Sequence, residues 1–159
     1  MSEQIKKKSD LAVDYFMKGY NCSQSVVAAF APELGISESL ALRLSSGFGA
    51  GVGRMREVCG AFNGLTAVIG MAYANPSDPA DKSNVYAIVQ QFATEFKMQN
   101  GGNSVICKEL LGLACVDGSA QAEARTETYY KKRPCKELVR LAAALVAGYM
   151  EQNPYTVMV

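Results

Sequence analysis

Apolar residues in this chain recur at three- and four-residue intervals and almost nowhere at intervals of two. That period lines one face of a helix and leaves no half-buried strand pattern. Ala, Leu, Glu, Lys, Gln and Met, which lose little freedom in a helix, fill the periodic segments. The expected fold is all-α, a single-domain helical bundle of about seven to eight helices over residues 1–159. A chain of 159 residues is long enough to bury a core without disulfide or metal staples.

Start and stop signals divide the pattern. Lys6 to Lys18 reads as a first helix, with Leu11, Val13, Tyr15 and Phe16 on its apolar side and Gly19 as its stop. Asn21 and Gln24 have capping-box spacing and open a second helix from Cys22 to about Leu34, ended by Gly35. Ser37 caps a third through Leu44, and Gly47 to Gly53 is a glycine-rich loop. A fourth helix begins near Cys59 and ends near Asn75-Pro76. Asp78 or Asp81 opens a long helix to about Met98, and Ser104 caps a short one through Leu111. Ser119 to Lys132 reads as a polar surface helix, and Pro134 opens the last, which runs to about Glu151. The tail from Pro154 to Val159 is expected to be extended.

The net charge of +1 gives no reason to expect nucleic-acid binding. The longest uncharged stretch, Val58 to Ser77, is broken by Gly60, Gly64, Gly70 and Pro76, and its continuous apolar part is too short for a membrane span. The first ten residues are polar and lysine-rich with no apolar segment behind them, so no secretory signal is expected and the cytoplasm is the expected compartment. Five cysteines in such a chain argue against a disulfide framework, because the count is odd and reducing compartments disfavour disulfides. There is no histidine, which removes the usual general base and the usual zinc and haem co-ligand. No Cys-x-x-Cys pair occurs.

Cys22, Cys59 and Cys135 fall at expected helix starts, and Cys107 about one turn into its helix. The positive end of a helix favours the thiolate, which is both nucleophile and metal ligand. Arg54 and Arg56 precede Cys59, Lys108 follows Cys107, and Lys131, Lys132, Arg133 and Lys136 surround Cys135. The first reading is thiol–disulfide redox needing no cofactor, with Cys59 as the attacking thiolate and Cys22 or Cys135 resolving. The second is a metal or iron–sulfur site built from Cys22, Cys59, Cys107 and Cys135, holding an iron–sulfur cluster or zinc. The third is a non-catalytic helical interaction module with its cysteines packed as small hydrophobes. Cys115, in an apolar run, is read as filler.

Gly60 and Gly64 line the fourth helix with small surfaces and imply close approach of another backbone. Asn63, one turn beyond Cys59, is placed to bond a thiolate or the backbone. The glycine loop lacks the spacing of a nucleotide fingerprint. It reads as a connector, or as an amide nest that with Arg54 and Arg56 takes a small anion or a thiolate. The expected partners are a redox partner or a small anion, and the small-sided helix and apolar tail suit a homodimer.

Gly19-Tyr20-Asn21-Cys22-Ser23-Gln24-Ser25-Val26, Gly47-Phe48-Gly49-Ala50-Gly51-Val52-Gly53-Arg54, Cys59-Gly60-Ala61-Phe62-Asn63-Gly64, Cys107-Lys108-Glu109-Leu110-Leu111-Gly112 and Pro134-Cys135 follow one another in this order. The set resembles the C-GCAxxG-C-C family of redox-active bacterial proteins, named for its cysteine pattern. The likeness runs from about residue 10 to 147. It implies that Cys22, Cys59, Cys107 and Cys135 are the family's four cysteines and that Cys115 is extra. The family label writes glycine before cysteine, whereas here Cys59 precedes Gly60.

Overall fold

The computed structural model describes residues 1–155. Its described residues form eight α-helices and no strand: α1 Glu3–Met17, α2 Cys22–Ala29, α3 Glu38–Leu44, α4 Gly60–Tyr73, α5 Lys82–Gln99, α6 Cys107–Leu110, α7 Glu127–Lys132 and α8 Cys135–Gln152. The expected extended tail lies, from residue 156 on, outside the described residues. None of these helices is long and apolar enough to cross a membrane.

The core sits among α1, α2, α4 and α8. Helix α8 packs on α1 and α4, and α2 packs on all three. Their inward stripes explain this arrangement: Ala12, Val13 and Phe16 on α1, Val26 and Val27 on α2, Leu65, Val68 and Ile69 on α4, and Val139, Ala142 and Val146 on α8 are all buried. Helix α5 lies against α4 and α8. It buries only Phe92 and Phe96, whose rings meet Tyr149 and Phe62 at centroid distances of 5.3 and 5.5 Å. At the end of α2 the buried Lys8 ammonium donates to the Ala29 carbonyl at 2.8 Å and pairs with Glu33 at 2.5 Å. That places a cation where the helix dipole is negative.

Helix α1 begins three residues before the expected Lys6, and α6 is capped at Ile106 rather than by Ser104, while α2 and α7 depart further from the sequence expectation. Helix α2 stops at Ala29 rather than near Leu34. Pro32 has no N–H to give the Ala28 carbonyl and disfavours helical backbone at Ala31. The chain therefore turns through residues 30–35 and ends at Gly35 with φ +68°. The polar helix expected over Ser119–Lys132 is helical only from Glu127, where the Thr126 side chain accepts from the Tyr129 N–H. Residues 113–126 have no apolar stripe that a helix would bury. Ion pairs and hydrogen bonds hold part of them instead: Arg54 donates to Asp117 and to the Ser119 carbonyl, both at 2.6 Å.

Candidate functional site

Four helix starts meet at one end of the core, and each carries a cysteine. Cys22, Cys107 and Cys135 are the first residues of α2, α6 and α8, and Cys59 is the residue that caps α4. Cys107 is thus at its helix start, not a turn inside it. The starts of α4 and α6 are laced by a single antiparallel bridge between Val58 and Ile106. Around that bridge the Cys59 N–H donates to the Val105 carbonyl at 2.7 Å and the Cys107 N–H to the Glu57 carbonyl at 2.6 Å.

Helix α4 is pressed on α2 through Gly60 and Gly64, as their small size implied. A Cβ at Gly64 would lie 2.9 Å from the Ser23 carbonyl oxygen and from Val26 Cβ, and one at Gly60 would lie 3.1 Å from Cys22 Cβ. The four thiols are all buried, and together they line one cavity of about 50 Å³ with Arg56, Arg125 and Tyr129. Cys115 is exposed, which corrects its reading as core filler: the run that carries it lies outside the hydrophobic core.

The Cys22 and Cys135 thiols line the same cavity, and each acts on the other more strongly than any other neighbour does. The Cys135 thiol is the main cause holding Cys22 below the ordinary thiol range. The positive charge of Arg125 and the backbone N–H groups of Ala50 and of Cys22 itself act in the same direction, against the cost of burial. Cys135 is pushed up by its Cys22 neighbour, then by burial. The two therefore titrate as a pair that gives up one proton readily and holds the other. Cys59 is pushed up by burial and then by the charge of Cys22, although the Phe62 and Ala61 N–H groups oppose this. Burial also raises Cys107, opposed by Arg56, whose guanidinium lies 3.9 Å from its sulfur. The expectation that Arg54 and Arg56 activate Cys59 does not hold. Arg54 is turned to Asp117 and Ser119, and Arg56 to Cys107 and Glu123.

The glycine-rich loop is a left-handed turn. Ala50, Gly51, Val52, Gly53 and Arg54 all have φ between +54° and +75°. L-residues other than glycine resist this conformation by roughly 1–2 kcal/mol each. The turn is closed by bonds from the Gly53 N–H to the Gly47 carbonyl at 2.8 Å and from the Glu57 N–H to the Gly51 carbonyl at 3.0 Å. Its entry is tight: a Cβ at Gly49 would lie 2.3 Å from Asn21 Cγ. The turn brings the Ala50 N–H toward Cys22, where it favours the thiolate.

Asn63 gives its amide to the Val58 carbonyl at 3.0 Å and so supports the backbone beside Cys59 rather than a sulfur. Lys131 pairs with Glu127 at the surface, and Arg133 pairs with Glu123. Arg125, Tyr129 and Ala50 are the site residues that sequence reasoning missed. Arg125 stacks on the Phe16 and Tyr129 rings at 4.3 and 4.8 Å and donates to the Phe16 and Tyr20 carbonyls. No local signal marks it, because α1 and the residues before α7 meet only in the fold. The four thiols that the metal reading would use line the one small cavity. Among the described residues no three Cys, Asp or Glu side chains form a group that could hold a metal ion.

Comparison with curated proteins and with solved structures finds no match. Residues 20–149 match the family described as "Putative redox-active protein (C_GCAxxG_C_C)", a span that contains the four buried cysteines, the left-handed turn and Arg125. The chain belongs to that family.

Proposed function

We propose that the protein exchanges electrons by thiol–disulfide chemistry, with Cys22 as the attacking thiolate and Cys135 as the resolving thiol. The observation that carries this is the placement of the two thiols on one small cavity at the starts of α2 and α8, where each shifts the other, Cys22 down and Cys135 up. Cys22 is the thiol with the donors and the cation, so it takes the attacking role first expected of Cys59. The Cys22 thiolate attacks one sulfur of a substrate disulfide, forming a mixed disulfide and expelling the other sulfur as a thiolate. That leaving group takes the proton of Cys135. The Cys135 thiolate then attacks the Cys22 sulfur and expels the second substrate sulfur as a thiolate, which takes a proton from solvent. The protein is oxidised by two electrons and the substrate disulfide is reduced to two thiols. Cys59 and Cys107, held neutral by burial, wall the cavity and leave Cys22 as its one thiolate. The cytoplasm, where thiols stay reduced, suits a protein that also exposes Cys115.

Mild oxidation followed by peptide mapping tests this. The expected product is a reversible Cys22–Cys135 disulfide that appears before any bond to Cys59 or Cys107. A first disulfide elsewhere, or none, overturns the assignment.

A further inference from the structure

Beside the thiol cavity lies a wider, open vestibule of about 250 Å³. The two spaces share a wall that includes Ala50, Arg56, Arg125 and Tyr129. Arg54, Arg56, Arg125 and Arg133 line the vestibule, against one acidic residue, Glu123. Three of those guanidiniums draw on the single Glu123 carboxylate: Arg54 at 3.7 Å, Arg56 at 3.4 Å, and Arg133 in close contact. Asp117 takes two further donors of Arg54, whose Nε stays buried without a partner. Arg125 is bonded only to main-chain carbonyls among the described residues. The arginines thus hold more positive charge and more donors than their partners use. Guanidinium forks match carboxylate and phosphate oxygens.

We propose that this vestibule selects a small anionic disulfide as the substrate of the Cys22–Cys135 pair. This rests on the thiol–disulfide reading and names its substrate class. The volume falls just below the roughly 300–1,000 Å³ of drug-sized ligand pockets, so the substrate is a low-molecular-weight compound rather than a folded protein. Its anionic ends sit on the arginines, and its sulfurs face the shared wall and Cys22. Exchange then runs by the balanced steps given above.

Three linear disulfides of similar length separate charge from reactivity: dithiodipropionate with two carboxylates, bis(hydroxyethyl) disulfide with none, and cystamine with two ammonium groups. Each rate of oxidation of the Cys22–Cys135 pair is divided by the rate of the same disulfide with a free thiol. The expected order is anionic, neutral, cationic, with roughly tenfold between the first two at low salt and a smaller ratio at high salt. Arg133→Gln lowers the anionic preference several-fold. Glu123→Gln raises it, a direction that misfolding does not produce. Equal normalised rates, or a lower anionic preference in Glu123→Gln, overturn the proposal while leaving the redox pair intact. If none of the three oxidises the pair, the thiol–disulfide reading fails, and the substrate class falls with it.

Discussion

Cys22 and Cys59 are the same residue type at the start of two neighbouring helices, both buried, and they ionise in opposite directions. Each has backbone N–H groups within reach. What differs is what lies outside the helix. Cys22 has the Cys135 thiol, the Ala50 N–H from the left-handed turn, and the Arg125 charge. Cys59 has burial and the charge of Cys22 against it. Cys107 has a guanidinium close by, but Arg56 shares its charge with Glu123, and burial prevails. A helix start alone therefore does not make a thiolate in a buried site. Donors and a cation from other elements decide which thiol ionises, and one charge in a small cavity discourages the next.

Removing one thiol from each side of this comparison gives the largest expected effect. Cys22→Ala abolishes reversible oxidation by mild disulfides, because both the attacking sulfur and the bond partner of Cys135 are lost. Cys59→Ala leaves the Cys22–Cys135 disulfide forming at a similar or higher rate, since a neutral neighbour is lost. Intact mass before and after oxidant reads both. Loss of oxidation in Cys59→Ala and its survival in Cys22→Ala would reverse the roles assigned to the two thiols.

The next test moves the two helix starts apart. Gly64→Ala places a Cβ 2.9 Å from the Ser23 carbonyl oxygen, so α4 must shift off α2. Overpacking of this kind costs about 1–3 kcal/mol. The same substitution at Gly70, with nothing within 4 Å of its Cβ, gains up to about 1 kcal/mol of helix propensity. Denaturant unfolding of the two variants should therefore show opposite signs. With α4 displaced, Cys59 should label faster in the folded state of Gly64→Ala and unchanged in Gly70→Ala.

Much of this fold was legible because its signals are local. Asn21 and Ser37 cap α2 and α3 and Gly19 turns the chain out of α1 where the sequence marked those boundaries, whereas Gly35 ends the turn beyond α2 and not the helix itself. The bounds of α2 and α7 were misplaced where a local period met a non-local or steric limit: Pro32 in one case, ion pairing of residues 113–126 in the other. For the site, the sequence identified the four buried cysteines and the two close-packing glycines. It did not give the order of their acidity. That order depends on Ala50 adopting φ +54° and on Arg125 crossing to α1, and neither contact leaves a trace in spacing. Charge counted along the chain also misled, because the arginines nearest Cys59 in sequence face carboxylates and Cys107 in space.

The smallest expected effect isolates that last point. Arg125 lowers the Cys22 pKa by charge, behind the Cys135 thiol and without a direct contact to sulfur among the hydrogen bonds it makes. Because the folded value of Cys22 is depressed, its ionised form favours the fold. That contribution is fully present above the unfolded value of ~8.5 and is lost as pH falls through the folded value. Arg125→Gln keeps donors for the Phe16 and Tyr20 carbonyls but removes the charge. The midpoint of Cys22 alkylation against pH should then rise by a few tenths of a unit, on the order of 0.5 kcal/mol. Arg56→Gln should leave that midpoint in place and raise the Cys107 midpoint instead, since its guanidinium bonds Cys107. Rates of iodoacetamide labelling, resolved by peptide, separate the two. A shift of Cys22 in Arg56→Gln and none in Arg125→Gln would mean that the cation nearest in sequence, not the one crossing the fold, sets the thiolate.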